Sequence, residues 1–307
     1  MVSDPADSRV AAIREATSLA ELADGFGVAT PHEAYFEAKP VWAEVVQRRQ
    51  AARSADDGLP GWRVTVDDHT FHVHGVTHAG TDAERDALRE HVERFRDRGA
   101  TVYCEQGIRP LYFEDFPAVC EMDDYRWALR ECADRDVETH LDALAEIGVD
   151  AVLEDLTAVA DRFREAVFSL VESGGAVYGD RFERALGDVA AGFLTDHAAA
   201  ATGESYEAFR LSNAAAEDPE RLGALMRYYE RAFLPQPLER EWLRGHDPEL
   251  ELVSHARNER MADYAVYHNE AATEVHLIVG AAHAPGVRYY LRRLRDGAEV
   301  PDDFAPL

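Results

Sequence analysis

Lysine is almost absent from this chain of 307 residues, because Lys39 is the single lysine among its 32 basic residues. The remaining basic residues are arginines, and 59 acidic residues give the chain a formal net charge of −27 at pH 7. Such a surface repels nucleic acid and anionic lipid, since proteins bind both chiefly through Lys and Arg against phosphate. The composition therefore predicts that nucleic acid is not a partner.

The excess of acidic residues indicates adaptation to a salt-rich cytoplasm. The self-repulsion of a net charge of −27 strains a compact fold at low ionic strength, whereas at molar salt the Debye length is about 3 Å and screens it. We therefore expect a halophilic protein whose melting temperature rises with KCl concentration into the molar range. Thermal melts at low and high salt measure this, and a melting temperature that stays flat or falls with salt would contradict it.

Cysteine and long apolar runs are also scarce. Cys104, Cys120 and Cys132 are odd in number and lack CxxC spacing, which argues against a disulfide framework or a zinc ribbon and fits a reducing compartment. The chain has neither a basic region followed by an apolar run at its start nor an uninterrupted apolar stretch of about 18 residues. We expect a cytoplasmic protein without a signal peptide or a membrane span.

The hydrophobic periodicity predicts an α/β fold in four parts. Residues 1–60 form an N-terminal helical appendage that ends in the polar, Gly- and Pro-containing stretch SADDGLPGW. Residues 61–112 form the first half of the α/β core, and residues 250–307 form the second half. Residues 113–249 are almost wholly helical and predict a large insertion, or a lid over the open edge of a mixed sheet.

The first half of the core has the pattern of a βαβ unit. WRVTV and TFHVHGV flank DDH and predict a hairpin. Thr81 and Glu84 have capping-box spacing before a helical stripe that ends at Gly99, and a strand follows in ATVYCEQG. The strands on either side of this helix should therefore lie parallel in one sheet. In the second half, EVHLIVG predicts a buried strand and PGVRYYLRRLRDG the next helix.

Two strand-to-helix junctions share a GxxH motif. GVTH ends at His78 and GAAH ends at His283, each with a glycine at the strand end and a histidine just before a helix, while Glu105 follows a third strand. Because functional groups collect at the carboxyl ends of parallel strands, we expect these three residues to meet. Two imidazoles and a carboxylate suit a divalent cation. The alternative is that His78 and His283 cap helices or bind buried carbonyl groups.

Four motifs of the chain resemble, in their order, those of the TraB/TIKI superfamily, which includes TraB/PrgY/GumN, erythromycin esterase and ChaN-like proteins. They are GVTH, EQG, NERMADYAVYH and HLIVGAAHAPG. Members share two GxxH motifs, a glutamate after an early strand and an arginine on a late helix. The resemblance covers roughly residues 62–112 and 250–297, and the functional positions it implies are His78, Glu105, Arg260 and His283.

The resemblance implies a metal-dependent hydrolase that cleaves a peptide or ester bond with metal-activated water. His78, His283 and Glu105 would bind one divalent metal ion, for which Mn, Fe, Co and Zn are candidates. Glu105 would serve as ligand or general base, and Arg260 would bind a carboxylate or an oxyanion. The substrate would be a peptide or a small molecule. The alternative is a non-catalytic protein that binds metal or haem, or regulates a peptide signal, on the same scaffold.

Two further histidines lie inside the second predicted strand. His72 and His74 share one face of it, and Phe71 and Val73 share the other. As an HxH pair they would bind metal directly, as in amidohydrolases, but that site belongs to a repeating β/α pattern that the helical middle of this chain lacks. We therefore interpret one of the two as lying beside the site, behind the metal ligands, or on a solvated face of the sheet.

Overall fold

The protein is described by a computed structural model that covers residues 5–50, 60–105, 167–169, 171, 201–267, 269 and 272–299. Most of the predicted insertion at 113–249, with Cys120 and Cys132, lies outside the described residues. The described part confirms the α/β class, because helices surround a mixed sheet of four strands. Among the described helices, none has the length and apolar character needed to cross a bilayer.

The sheet joins strands from two distant parts of the chain. Its strands are β1 (Gly61–Val66), β2 (His69–Val76), β3 (Thr101–Cys104) and β4 (Glu274–Gly280), in the order β1-β2-β4-β3. β1 and β2 form the predicted antiparallel hairpin, and β4 runs parallel to β2 on one side and to β3 on the other. The carboxyl ends of β2, β3 and β4 therefore lie at the same edge of the sheet.

The helices follow the chain on both sides of these strands. They are α1 (Pro5–Glu15), α2 (Leu19–Phe26), α3 (Pro31–Gln50), α4 (Asp82–Arg96), α5 (Tyr206–Glu217), α6 (Leu222–Ala232), α7 (Gln236–His246), α8 (Pro248–Glu251), α9 (Arg257–Tyr267) and α10 (Ala284–Arg295). A 3-10 turn joins α5 to α6, and a π-helical stretch, Leu252–Ala256, joins α8 to α9.

One apolar core lies between the sheet and α6, α9 and α10. Phe71 and Val73 of β2 point into it, as the alternation of the strand predicts, and the central β4 contributes Val275, Leu277 and Val279. The last helices of the predicted insertion share this core. Its other members include Tyr103, Leu222, Leu225, Met226, Met261, Tyr264, Val287, Tyr290 and Leu291. Helices α5 and α6 are thus packed as part of the sheet domain rather than apart from it.

The N-terminal helices have a second core, which they share with α7. Tyr35 of α3 stacks on Trp242 of α7 with ring centroids 4.4 Å apart. The single lysine lies beside this contact: Lys39 Nζ is 2.5 Å from Glu239 Oε1 and donates to the carbonyl oxygen of Ala232 at 2.9 Å. Burial lowers the pKa of Lys39, and the carboxylate of Glu239 acts against that shift. A buried ion pair therefore joins α3 to α7.

Candidate active site

The turn between β2 and α4 holds His78 in an uncommon conformation. Its φ is 64°, in the left-handed region that residues other than glycine rarely adopt. The buried carboxylate of Glu84 binds the residues on either side: Oε1 accepts from the N–H and hydroxyl of Thr77 at 2.5 and 2.7 Å, and Oε2 accepts from Ala79 N–H at 3.1 Å. Glu84 therefore fixes the backbone that presents His78.

Glu84 lies at the start of α4, where the sequence predicts a capping box. Thr81 is the N-cap and accepts from the Glu84 N–H at 3.2 Å, as predicted. The Glu84 carboxylate reaches further back than a capping box requires, to Thr77 and Ala79. The spacing of Thr81 and Glu84 predicts where the helix begins. It does not predict the hydrogen bonds by which Glu84 fixes the turn that contains His78.

The second GxxH junction places His283 at the N-cap of α10, three residues after β4 ends at Gly280. A Cβ on Gly280 would lie 2.7 Å from His78 Nε2 and 3.2 Å from Glu105 Oε2, so the glycine permits close packing of the two side chains. His283 Nδ1 lies 2.8 Å from Asn258 Oδ1 on α9. The ring of His283 is thus oriented by a buried amide.

Glu105 brings the two histidines together. It follows β3, is 3% exposed, and its Oε2 accepts from the Gly280 N–H at 2.5 Å. Its Oε2 lies 3.6 Å from His78 Nε2, and its Oε1 lies 3.3 Å from His283 Nε2. The three residues that the sequence places at strand ends therefore converge on one carboxylate.

The charges around Glu105 favour its ionised form. Burial alone would raise the pKa of Glu105, but His283, His78 and Arg257 together hold it well below its usual value. Burial lowers the pKa of His283, against the opposing effect of Glu105. At neutral pH the site thus combines a carboxylate with a neutral imidazole at His283, the protonation states in which both groups bind metal ions.

Arg257 is the arginine seen in contact with Glu105: its Nη1 lies 3.4 Å from Glu105 Oε1. Arg260, the residue implied by the family resemblance, lies one turn further along α9, where its charge acts on Asp263. Arg257 is the first residue of α9, directly after the π-helical stretch Leu252–Ala256. The sequence thus located the helix, and the structure adds Arg257 to the site.

Asp263 provides a pH prediction for this helix. Burial raises the pKa of Asp263 to about 7, and Glu259 adds to this against Arg260 and Arg293. Because the folded-state pKa lies above the unfolded value of about 3.9, the folded protein holds an extra proton between these values, and this contribution to stability is lost as pH rises through 7. We expect Asp263→Asn to raise the melting temperature at pH 8 and to change it little at pH 4.

The control for this prediction is Asp86→Asn, which removes one negative charge from an exposed position on α4. Melts of both variants at pH 4 and pH 8 separate the effect of burial from the general effect of net charge. Equal stabilisation by the two variants at pH 8 would contradict the proposed role of the raised pKa.

The atoms around Glu105 fit a divalent cation. Ligand atoms bound at about 2.0–2.2 Å lie about 3.0–3.5 Å from one another, close to the 3.3 and 3.6 Å that separate the histidine Nε2 atoms from the carboxylate. With His283 Nδ1 donating to Asn258, the lone pair of Nε2 faces Glu105 Oε1. A metal ion between these two atoms satisfies both, and so does a proton on Nε2.

Asn258 was missed in the sequence. It is a buried polar residue on the apolar face of α9, and its Nδ2 donates to Gln236 Oε1 at 3.1 Å. Histidines that bind metal typically donate their second ring N–H to such a partner. A signal for it exists in retrospect, because a lone asparagine on the buried stripe of an amphipathic helix needs a partner.

His72 and His74 lie in a different environment, beneath α4. They share the face of the sheet opposite the main core with His276 of β4, and His91 of α4 packs against them. We call His72, His74, His91 and His276 the α4 histidine cluster. The structure therefore groups the HxH pair with two histidines that the sequence analysis did not single out.

A cavity of about 590 Å³ lies away from Glu105. Its walls include Arg14, Arg49 and Arg288, whereas neither candidate histidine nor Glu105 lines it. The cavity and the cluster of titratable residues around Glu105 are therefore at different places in the molecule. We assign the site by chemistry, because the buried carboxylate of Glu105 and the imidazole of His283 have the perturbed pKa values typical of functional residues.

Comparison with known proteins provides no further assignment: no family model, no curated protein and no solved structure matches the chain. The functional argument therefore depends on the residues of this site and on their geometry.

Proposed function

We propose that this protein is a metal-dependent hydrolase of TraB/TIKI type that cleaves a peptide or ester bond, with His78, His283 and Glu105 holding one divalent cation. The observation that carries the proposal is the approach of two imidazole Nε2 atoms to opposite oxygens of one buried, ionised carboxylate. The order of the motifs supports the same family. In this proposal the helical segment 113–249 is an insertion in the α/β core and narrows access to the site.

A divalent Mn, Fe, Co or Zn ion bound there would supply Lewis-acid activation of a water molecule and of the substrate carbonyl. Glu105 is the group that accepts a proton, and the Gly280 N–H keeps its Oε2 in place. Arg257 provides a positive charge beside the carboxylate, placed to stabilise negative charge that develops on the substrate oxygen. His78, with a side chain 33% exposed, marks the side from which a substrate approaches.

The proposal is tested by metal analysis of protein purified in high salt, together with a panel of peptide and ester substrates. His78→Ala and His283→Ala should each lose the metal of this site and the hydrolysis that depends on it. His69→Ala, in the hairpin at the start of β2, is the matched control and should keep both. Circular dichroism establishes that each variant is folded. Full hydrolysis by either His78→Ala or His283→Ala would refute the assignment.

A non-catalytic role, in binding metal or haem or in regulating a peptide signal, is favoured by one observation. Both oxygens of Glu105 already have partners in the protein, the Gly280 N–H and the Arg257 guanidinium. A carboxylate whose two oxygens are already held by the protein is less available to accept a proton from water, which favours a binding role. The substrate panel decides between the two functions, since a binder loses ligand on mutation and shows no turnover to lose.

A further inference from the structure

The α4 histidine cluster places four imidazoles in one closed space between α4 and the sheet. His72 and His276 are paired across β2 and β4, and His74 Nε2 shares a hydrogen bond with His276 Nδ1 at 2.9 Å. The rings of His74 and His276 are parallel to within 1°. Phe95 of α4 covers His276 with ring centroids 3.6 Å apart, so the cluster has an apolar lid.

His91 is the member of the cluster that ordinary packing does not explain. It is 3% exposed, and neither of its ring nitrogens has a hydrogen-bond partner among the described residues. Its ring centroid lies 4.2 Å from that of His74 and 5.4 Å from that of His276. A buried polar group without a partner costs about 1–3 kcal/mol, so an unpaired histidine that faces three others calls for a ligand.

The protonation states suit a metal ion. Burial lowers the pKa of His91 well below its usual value, and the neighbouring histidines add to the shift. Burial also lowers the pKa of His276, to about 2, with His74 and His72 acting in the same direction. Neutral imidazoles have a lone pair to donate, which is the form that binds transition metals.

We propose that the α4 histidine cluster is a second metal site, in which His72, His74, His276 and His91 bind one late transition-metal ion such as Zn²⁺, Ni²⁺ or Cu²⁺. Ring nitrogens of the three strand histidines already lie within 4.8 Å of one another. Tetrahedral coordination at about 2.0–2.1 Å places ligand nitrogens about 3.4 Å apart, so side-chain shifts of about 1 Å bring the three strand histidines to these positions. His91, whose ring centroid lies 4.2 Å from that of His74, is the fourth ligand. An all-imidazole ligand set selects these metals over Mg²⁺ or Ca²⁺.

Glu274 supports the site from outside. Its Oε1 lies 3.2 Å from His276 Nε2 and 3.5 Å from His72 Nε2. A carboxylate that accepts the far ring N–H fixes the tautomer, turns the other nitrogen toward the metal and increases its basicity. The side chain of His72 is 24% exposed and lies next to Glu274, which provides the entry path for an ion.

Four protein ligands leave no position open for substrate, so the geometry assigns this site a structural role. The ion would join α4, through His91, to β2 and β4. Helix α4 also carries Glu84, which holds the turn of His78. The second site therefore stabilises the position of a helix on which the candidate active site depends, and its existence does not rest on the proposed function.

The test uses the full chain in molar KCl, stripped with a chelator and titrated with Zn²⁺ by calorimetry and with Co²⁺ by visible absorption. The His78→Ala variant should still bind one equivalent tightly, with the intense visible bands of tetrahedral Co²⁺. In the His78→Ala background, His72→Ala and His91→Phe should each weaken this binding by at least about 10- to 100-fold. His72 is partly exposed, and phenylalanine fills the space of the His91 ring, so both variants are expected to fold.

A folding control accompanies the titration. Zn²⁺ should raise the melting temperature of His78→Ala, because a ligand that binds the folded state stabilises it, and should have little effect on the double variant His72→Ala with His78→Ala. Equal Zn²⁺ affinity in His78→Ala and in the double variant His78→Ala with His91→Phe would overturn the four-histidine site. Absence of tight binding to His78→Ala would overturn it as well, whatever the outcome for hydrolysis.

Discussion

Glu105→Gln should lower the rate of peptide or ester hydrolysis by about 10²- to 10⁴-fold while the protein stays folded. The amide has the shape of the carboxylate, and its oxygen can still accept from the Gly280 N–H. It has no negative charge, however, to bind a cation between His78 and His283 or to take a proton. The loss should therefore appear in kcat rather than in folding.

Glu90→Gln, an exposed carboxylate on α4, is the matched control and should keep full activity. Measuring the metal content of Glu105→Gln together with its rate distinguishes the two roles of Glu105. If the variant loses both metal and activity, Glu105 is a metal ligand. If it loses activity and keeps the metal, Glu105 is a general base. A Glu105→Gln enzyme with the rate of the wild type would contradict both roles and with them the proposed mechanism.

Lys39→Met should destabilise the fold by about 3–5 kcal/mol, because it leaves the buried carboxylate of Glu239 without its cation. Glu239 is fully buried and also accepts from the Tyr35 hydroxyl and the Leu234 N–H, both at 2.6 Å. These neutral donors do not replace a positive charge. The pair lies between α3 and α7, so the loss should loosen the N-terminal helices from the rest of the chain.

Urea unfolding at constant KCl measures this effect, with two comparisons. Arg48→Met breaks an exposed ion pair with Glu44 and should cost about 0–1 kcal/mol. The double variant Lys39→Met with Glu239→Gln should recover part of the stability lost in the single variant, because it removes the unpaired charge. A single variant as stable as Arg48→Met would show that the buried pair is not needed.

The sequence predicts where His78, Glu105 and His283 lie along the chain, because the strand ends and helix starts that hold them depend on neighbouring residues. A glycine at a strand end, a histidine before a helix and a glutamate after a strand are short-range patterns, and parallel strands bring them to one edge. His78, Glu105 and His283 therefore converge in the structure at the positions that the sequence predicts. Whether they bind metal stays a prediction.

The other contacts of the candidate site and of the α4 histidine cluster depend on residues that are distant in the sequence. His72 faces His276 because of the register between two strands about 200 residues apart, and no local pattern specifies that register. The contact of Arg257 with Glu105 joins the start of α9 to the end of β3, and the orientation of His283 depends on Asn258 from another helix. The interpretation of His72 and His74 stayed open for the same reason.

The place of β4 between β2 and β3 has a consequence for synthesis on the ribosome. The hairpin and β3 emerge early, but the strand that joins them ends at Gly280 and emerges only when the chain is nearly complete. Until then the facing edges of β2 and β3 expose unpaired backbone groups, which in nascent chains promote association with other strands. The sheet is formed largely by contacts between distant parts of the chain, which predicts slow folding. We therefore expect the nascent chain to need protection by chaperones for a long interval.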